Sequence, residues 1–296
     1  MPDAVIETID LRKRFGRVEA LRGLNLNVPA GSICGFLGRN GSGKSTTMKL
    51  LLGMVRPDGG EGRVLGWPID DPRASVEIRR RTGFVSEEKG LYSYLTVEQM
   101  IQFTRPFFPA WNRALEDRYR RLFELPAERK IKALSKGMRA KLALLLALAR
   151  GAELLILDEP TDGLDPAANE EVLQALVAAA AEGVTVFVAS HRLAEIEQIA
   201  DCVRILHDGR IVLAATLDEL KENYRRIQLV FAGAAPAVTV TLAGMVEVRH
   251  EGRAVSVLVS ARAEAIADEL QRFQPISTEL LPVGLKEIFL ENVKRP

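Results

Sequence analysis

The chain holds two cysteines, Cys34 and Cys202, in 296 residues. That is too few for a disulfide framework or a cysteine-rich metal centre, and it favours a reducing compartment. Excess charge is missing as well. Forty Lys+Arg stand against 39 Asp+Glu, a formal net charge of +1, whereas general nucleic-acid binding leaves a strongly basic footprint, so no nucleic-acid partner is expected. Long apolar runs are absent too. The longest, Leu142 to Ala149, is enclosed by Lys141 and Arg150 and falls far short of the roughly 20 residues that cross a bilayer. Any work at a membrane therefore requires another chain to supply the span. The opening stretch, Met1 to Leu11, carries Asp3, Glu7 and Asp10 and lacks the basic-then-apolar order of a secretion signal, so the expected location is cytoplasmic.

What remains is ordinary in bulk. With 47% hydrophobic and 27% charged residues, collagen-like, disordered and coiled-coil classes are excluded. A chain of this length suits one large domain with a small appendage, or two domains. Val5 to Val28 reads as short strands, with Leu24 to Val28 alternating apolar and polar before Pro29-Ala30-Gly31. The run Ile33 to Leu37 leads through a Gly-rich loop into a helix from Lys44 to about Leu52. Helices dominate from Val97 to Arg150, the first opened by a capping box of Thr96 and Gln99 and another starting after Ser135. The buried-type strands Leu154 to Leu157 and Val184 to Ala189 flank a helix from about Ala167 to Ala181. Such alternation predicts an α/β fold with a largely parallel sheet. Beyond Leu217, strands at Ile227 to Phe231, Val238 to Leu242, Val246 to His250 and Val255 to Val259, with helices over Ala263 to Phe273 and Leu285 to Val293, predict a small α+β domain.

Gly38-Arg39-Asn40-Gly41-Ser42-Gly43-Lys44-Ser45 fits G-x-x-x-x-G-K-[ST] between a strand and a helix. Glycines let successive amides turn inward, the helix N-terminus adds positive potential, and Lys44 reaches the β- and γ-phosphates of a nucleotide. Ser45 is expected to hold Mg²⁺, with Thr46 beside it in the phosphate-binding turn. Leu154 to Leu157 ends in Asp158 and Glu159, at the strand end where open α/β sheets place ligands. Neighbouring strand residues point opposite ways, so the two acids share a site only if the strand stops there. Asp158 is the expected Mg²⁺ partner, through water, and Glu159 the base for an attacking water.

At this point the sequence resembles the ATP-binding subunit of ABC transporters, over Val5 to about Thr216. Leu134-Ser135-Lys136-Gly137-Met138 resembles the family's signature, Thr161-Asp162-Gly163-Leu164-Asp165 its D-loop, and Ser190-His191 its switch histidine. The resemblance implies a P-loop fold of the ABC type over residues 1–217 with a helical subdomain at about 88–150, and an accessory domain over 218–296. It implies ATP and Mg²⁺, Phe15 against the adenine, His191 at the γ-phosphate, Asp165 among the nucleotide-binding residues, and Ser135 and Gly137 meeting nucleotide across a dimer. One set of motifs per chain implies a homodimer, or a pair with a similar chain, working on an integral membrane permease from the cytoplasmic face.

The departures matter. Lys136 and Met138 replace the common Gly and Gln, Asp162 replaces a frequent Ser, and Glu87 stands where a Gln that touches Mg²⁺ is usual, with Glu88 next to it. The LSKGM form and the ending Gly284 to Leu290 resemble exporter-type members. Two other readings stay open: a soluble ABC-type ATPase acting on nucleic acid or ribosomes, and an ATP-binding switch with little hydrolysis.

Overall fold

The computed structural model describes residues 4–238 and 242–294. The chain divides into two compact units, Met1–Ala214 and Ala215–Pro296. In the first, β1 (Ala4–Phe15) and β2 (Val18–Pro29) precede β3 (Ile33–Gly38) and α1 (Lys44–Leu51). Next come β4 (Gly59–Val64), β5 (Trp67–Pro68), α2 (Pro72–Arg81) and β6 (Thr82–Val85). The helices α3 (Val97–Thr104), α4 (Arg113–Leu122) and α5 (Lys136–Ala149) form the middle. Then β7 (Leu154–Asp158), α6 (Pro166–Ala181), β8 (Thr185–Ala189), α7 (Leu193–Ile199), β9 (Cys202–His207) and β10 (Arg210–Thr216) follow.

Two sheets share this unit. One has the order β2-β1-β4-β5 with antiparallel pairs, the other β10-β9-β3-β8-β7-β6. In the second, β9, β3, β8, β7 and β6 pair in parallel. Every residue of β3, β7 and β8 is buried, as a parallel sheet covered on both faces requires. Phe36 of β3 and Phe187 of β8 meet at 4.9 Å between ring centroids, within a core that includes Ile6, Leu24, Met48, Leu154 and Ile156. Each such fully buried side chain contributes roughly 1.5–3 kcal/mol relative to exposure.

Register then sets the site. Phe36 and Asp158 both pair with Ala189, and Val85 pairs with Leu157. The C-terminal ends of β3, β8, β7 and β6 are therefore level, and the loops leaving them emerge at one sheet edge. Cys34 of β3 faces Cys202 of β9 in the ladder, both buried. Hydrogen bonding between the two sulfurs lowers the Cys202 thiol to about 7 and raises that of Cys34.

The expectation of short strands over Val5 to Val28 is corrected to two strands of twelve residues each. Register shifts near Thr8/Leu11 and Leu11/Arg12, with Asp10 at φ 48°, break the strict alternation and leave Ile9 67% exposed, so continuous strands look interrupted in sequence. In the helical part, Thr96 and Gln99 form the expected capping box at the start of α3.

The second unit holds α8 (Leu217–Asn223), β11 (Arg225–Val230), β12 (Met245–Glu251), β13 (Ala254–Val259), α9 (Ala263–Leu270), β14 (Ser277–Pro282) and α10 (Leu285–Lys294). Its sheet is antiparallel in the order β12-β13-β11-β14. Ile227, Leu229, Val255, Val257 and Leu270 lie in its own core. The strand expected over Val238 to Leu242 falls on residues 239–241, outside the described residues. The helix expected to reach Phe273 ends as α at Leu270 and finishes in a 3₁₀ turn, Gln271–Phe273.

Candidate active site

The phosphate loop joins β3 to α1 as the spacing predicts. Gly41 takes φ 81° and Gly43, the N-cap of α1, takes φ 112°. A Cβ on Gly43 would lie 2.7 Å from the Ala20 carbonyl, so glycine is required there by both conformation and space. No side chain caps α1, which leaves its first amides to a ligand. Buried Ser42 adds a hydroxyl with no hydrogen-bond partner among the described residues. Lys44, 8% exposed, donates from Nζ to the carbonyls of Gly38 at 2.6 Å and Arg39 at 3.3 Å. Burial lowers its pKa, and the charges of Glu159, Asp158 and Glu87 oppose that shift.

The strand carrying the acids does stop between them: β7 ends at Asp158, and Glu159 adopts φ 48°. Both carboxylates can therefore address one cleft. Ser45 donates its hydroxyl to Asp158 Oδ2 at 2.8 Å. Glu159 Oε2 accepts from His191 Nδ1 at 2.9 Å and from the His191 amide at 3.4 Å. Its imidazole is otherwise 57% exposed, free to meet a substrate oxygen.

A cleft of about 480 Å³ brings together Asn40, Gly41, Gly43, Lys44, Ser45, Thr46, Glu87, Asp158, Glu159 and His191. Val18, Glu19, Ala20 and Asp162 line it too; sequence reasoning gave Asp162 only as a D-loop residue and did not place the other three, because the β1–β2 hairpin and the turn after Glu159 reach the cleft only through tertiary packing. Phe15, 49% exposed, pairs with Val18 at the hairpin end, just outside the lining. Gly38 and Ser42 lie behind the loop: a Cβ on Gly38 would meet Ser42 Oγ at 2.5 Å.

The signature residues lie elsewhere. Ser135 is the N-cap of α5 and accepts from the Met138 amide at 3.1 Å. Gly137 has Leu164 close by, at 3.3 Å from where its Cβ would stand. Lys136 forms an ion pair with Asp162 at 2.6 Å, which holds the Asp162 carboxyl below the usual range. Asp165 caps α6 by accepting from the Ala168 amide at 2.9 Å and does not line the cleft.

Glu19, Glu87, Asp158, Glu159 and Asp162 share the cleft with one lining lysine, Lys44. A polyphosphate brings further negative charge, which five carboxylates oppose unless a divalent cation accompanies it. The donor set fits Mg²⁺: Ser45 and Asp158 offer hard oxygens side by side, and Glu87 offers more. Among the described residues, no group of three or more His, Cys, Asp and Glu forms a metal cage.

The sequence profile of the ABC transporter family matches residues 21–162. The bacitracin transport ATP-binding protein BcrA of Bacillus licheniformis is 37% identical over 225 residues, 75% of this chain and 73% of that protein. This chain belongs to the ABC transporter family. The daunorubicin resistance ATP-binding protein DrrA3 of Streptomyces coeruleorubidus is 33% identical over 305 residues and matches 99% of this ABC ATPase and 95% of its own length. A solved ATP-binding subunit of an ABC transporter superposes with TM-score 0.67 at 29% identity, covering 74% of this chain and 92% of that one. The dimeric bacterial cassette MJ0796 superposes with TM-score 0.65 at 26% identity, over 72% and 98%. The chain is accordingly an ATPase of the ABC transporter family with the P-loop α/β fold.

Proposed function

We propose that this chain is a Mg²⁺-dependent ATPase subunit that works as a dimer on the cytoplasmic face of a membrane and drives a separate permease in export. One observation carries the dimer: the cleft holds phosphate loop, Mg²⁺ oxygens and base, while Ser135 and Gly137 lie outside it. A second copy placing its signature helix N-terminus over the cleft completes an anion site. The dimeric form of MJ0796 supports this arrangement.

In this reading Lys44 and the loop amides would hold the β- and γ-phosphates, and Ser45 and Asp158 would hold the ion, with Glu87 as a further oxygen donor. Bound Mg²⁺ neutralises phosphate charge during transfer. Glu159 takes the proton of the attacking water, and His191 keeps the Glu159 carboxylate aimed while meeting a γ-phosphate oxygen. Phe15 supplies an aromatic face for the adenine. Asp165 shapes the D-loop by capping α6.

No helix of the described residues is long and apolar enough to cross a membrane; the permease is read as a separate chain. A docking surface for it is an exposed aromatic series after Glu87: Tyr92 meets Tyr94 at 5.8 Å and Phe103 at 5.4 Å, and Phe103 meets Phe107 at 5.5 Å. These rings are 46–67% exposed, a patch that marks an interaction site. The second unit, with its own core, takes an accessory role in dimer support or regulation.

The test is purification of the complex from membranes with ATPase and transport measurements. Lys44→Ala abolishes turnover, and Glu159→Gln binds Mg-ATP but slows hydrolysis at least about 100-fold and enriches dimer in size-exclusion chromatography. Wild-type turnover in a folded Lys44→Ala protein, or no dimer enrichment with Glu159→Gln, would sink the reading.

A further inference from the structure

Glu159 holds an unusual posture. It is an L residue at φ 48°, a left-handed conformation that crowds Cβ against the backbone, and it is 8% exposed. Its amide is committed to the Ala189 carbonyl at 3.0 Å. Its carbonyl accepts from the Asp162 amide at 3.3 Å. The carbonyl also accepts from Lys89 Nζ at 2.8 Å, across 70 residues of sequence.

Lys89 is delivered to that carbonyl by local structure. It closes the turn after β6, where its amide donates to Ser86 at 2.9 Å, and both Lys89 and Gly90 have positive φ, 65° and 57°. Burial lowers the pKa of the Lys89 ammonium, opposed by the charges of Asp162, Asp158 and Glu159. An ammonium that gives up part of its water to reach a main-chain oxygen makes a strong, charge-assisted contact. Such contacts hold a strained residue where the surrounding structure over-determines it.

The direction of the Glu159 Cα–Cβ bond follows from the orientation of its own peptide. Without Lys89 that carbonyl keeps only the 3.3 Å contact from the Asp162 amide, so the peptide plane after Glu159 gains freedom to turn about the Cα–C bond and the backbone that aims the carboxylate is held less firmly.

We propose that Lys89 is a positioning residue for ATP hydrolysis: from the loop that also carries Glu87, it fixes the peptide of Glu159 and thereby aims the base. This rests on Glu159 being the base. Lys89 is absent from the cleft lining, so it acts on turnover through Glu159 and leaves nucleotide affinity alone.

The test uses the full chain in its membrane complex with Mg-ATP, comparing Lys89→Met, Lys89→Arg, Glu159→Gln and the Lys89→Met/Glu159→Gln pair. Lys89→Met should lower kcat about tenfold with KM for ATP changed less than about twofold. Lys89→Arg, which keeps a cationic donor, should return kcat to within about threefold of wild type. In the Glu159→Gln background, Lys89→Met should change turnover less than about twofold, because the group it aims is gone. Wild-type kcat in Lys89→Met, a rise in KM at constant kcat, or an undiminished tenfold loss on top of Glu159→Gln overturns the proposal. If Lys89→Met does not fold, Lys89→Gln takes its place, and wild-type kcat there overturns it equally. Wild-type turnover in Glu159→Gln would instead overturn the assignment of the base, whatever Lys89 does.

Discussion

Glu87 places a full charge on a cleft wall that already holds Asp158, Glu159 and Asp162. Unit charges about 4 Å apart at an effective dielectric near 20 interact by roughly 4 kcal/mol before screening, and a bound divalent cation offsets that repulsion. Productive closure on ATP should therefore depend steeply on Mg²⁺, and Glu87→Gln should flatten the dependence without abolishing turnover. Mg²⁺ titrations at fixed ATP decide this; superimposable curves would mean that Glu87 stays clear of the ion. Asp162 offers a pH prediction. Lys136 depresses its pKa, so its contribution to stability is present above the unfolded carboxylate value of about 3.9 and is lost as pH falls through the folded value. Both side chains are substantially exposed, 55% for Lys136 and 34% for Asp162, so the contribution stays below about 1 kcal/mol. The melting-temperature gap between wild type and Asp162→Asn should hold from neutral pH to about pH 5 and shrink as pH falls below the unfolded carboxylate value of about 3.9. At this scale the phosphate loop and the paired acids were legible because each is contiguous. Asp162 and Lys89 were not, since their reach depends on turns with positive φ at Gly163 and Lys89.

Gly83 shows how tightly β6 is wedged against its neighbours. A Cβ there would stand 2.5 Å from Leu155 Cδ2, 2.8 Å from the Ala147 carbonyl and 3.2 Å from Ala147 Cβ. Gly83→Ala should cost about 1–3 kcal/mol through overpacking and lower Tm by about 3–10 °C. A thermal melt coincident with wild type would show that α5 yields without strain. Elements with an intact local signature were readable: Thr96 and Gln99 exchange hydrogen bonds at 3.1 and 3.0 Å, and the all-apolar interior strands stand out by composition. The strand β9 hid because Arg204 interrupts its apolar run. That side chain is 9% exposed and donates to the carbonyls of Asn27 and Val203, a satisfaction that no pattern of residue types reveals. Among the described residues the edge strand β14 pairs only with β11, and it carries Ser277, Thr278 and Glu279, polar residues that an outer strand tolerates and a pattern search discounts.

Two separate cores make the whole molecule divisible. The nucleotide cleft draws every lining residue from the first unit. A chain ending at Thr216 should bind ATP with wild-type affinity within about threefold, while dimer formation or coupling to transport weakens; isothermal titration with the truncated chain checks the first half. The paired thiols of β3 and β9 carry a different, practical consequence. Because the only two cysteines in the chain are buried against each other, the native surface presents no sulfhydryl to a labelling reagent. A single cysteine introduced at exposed Tyr94, or elsewhere on the surface, thus becomes a unique attachment point for a fluorophore or spin probe, and the motions of this ATPase can be followed without first stripping the chain of its own thiols.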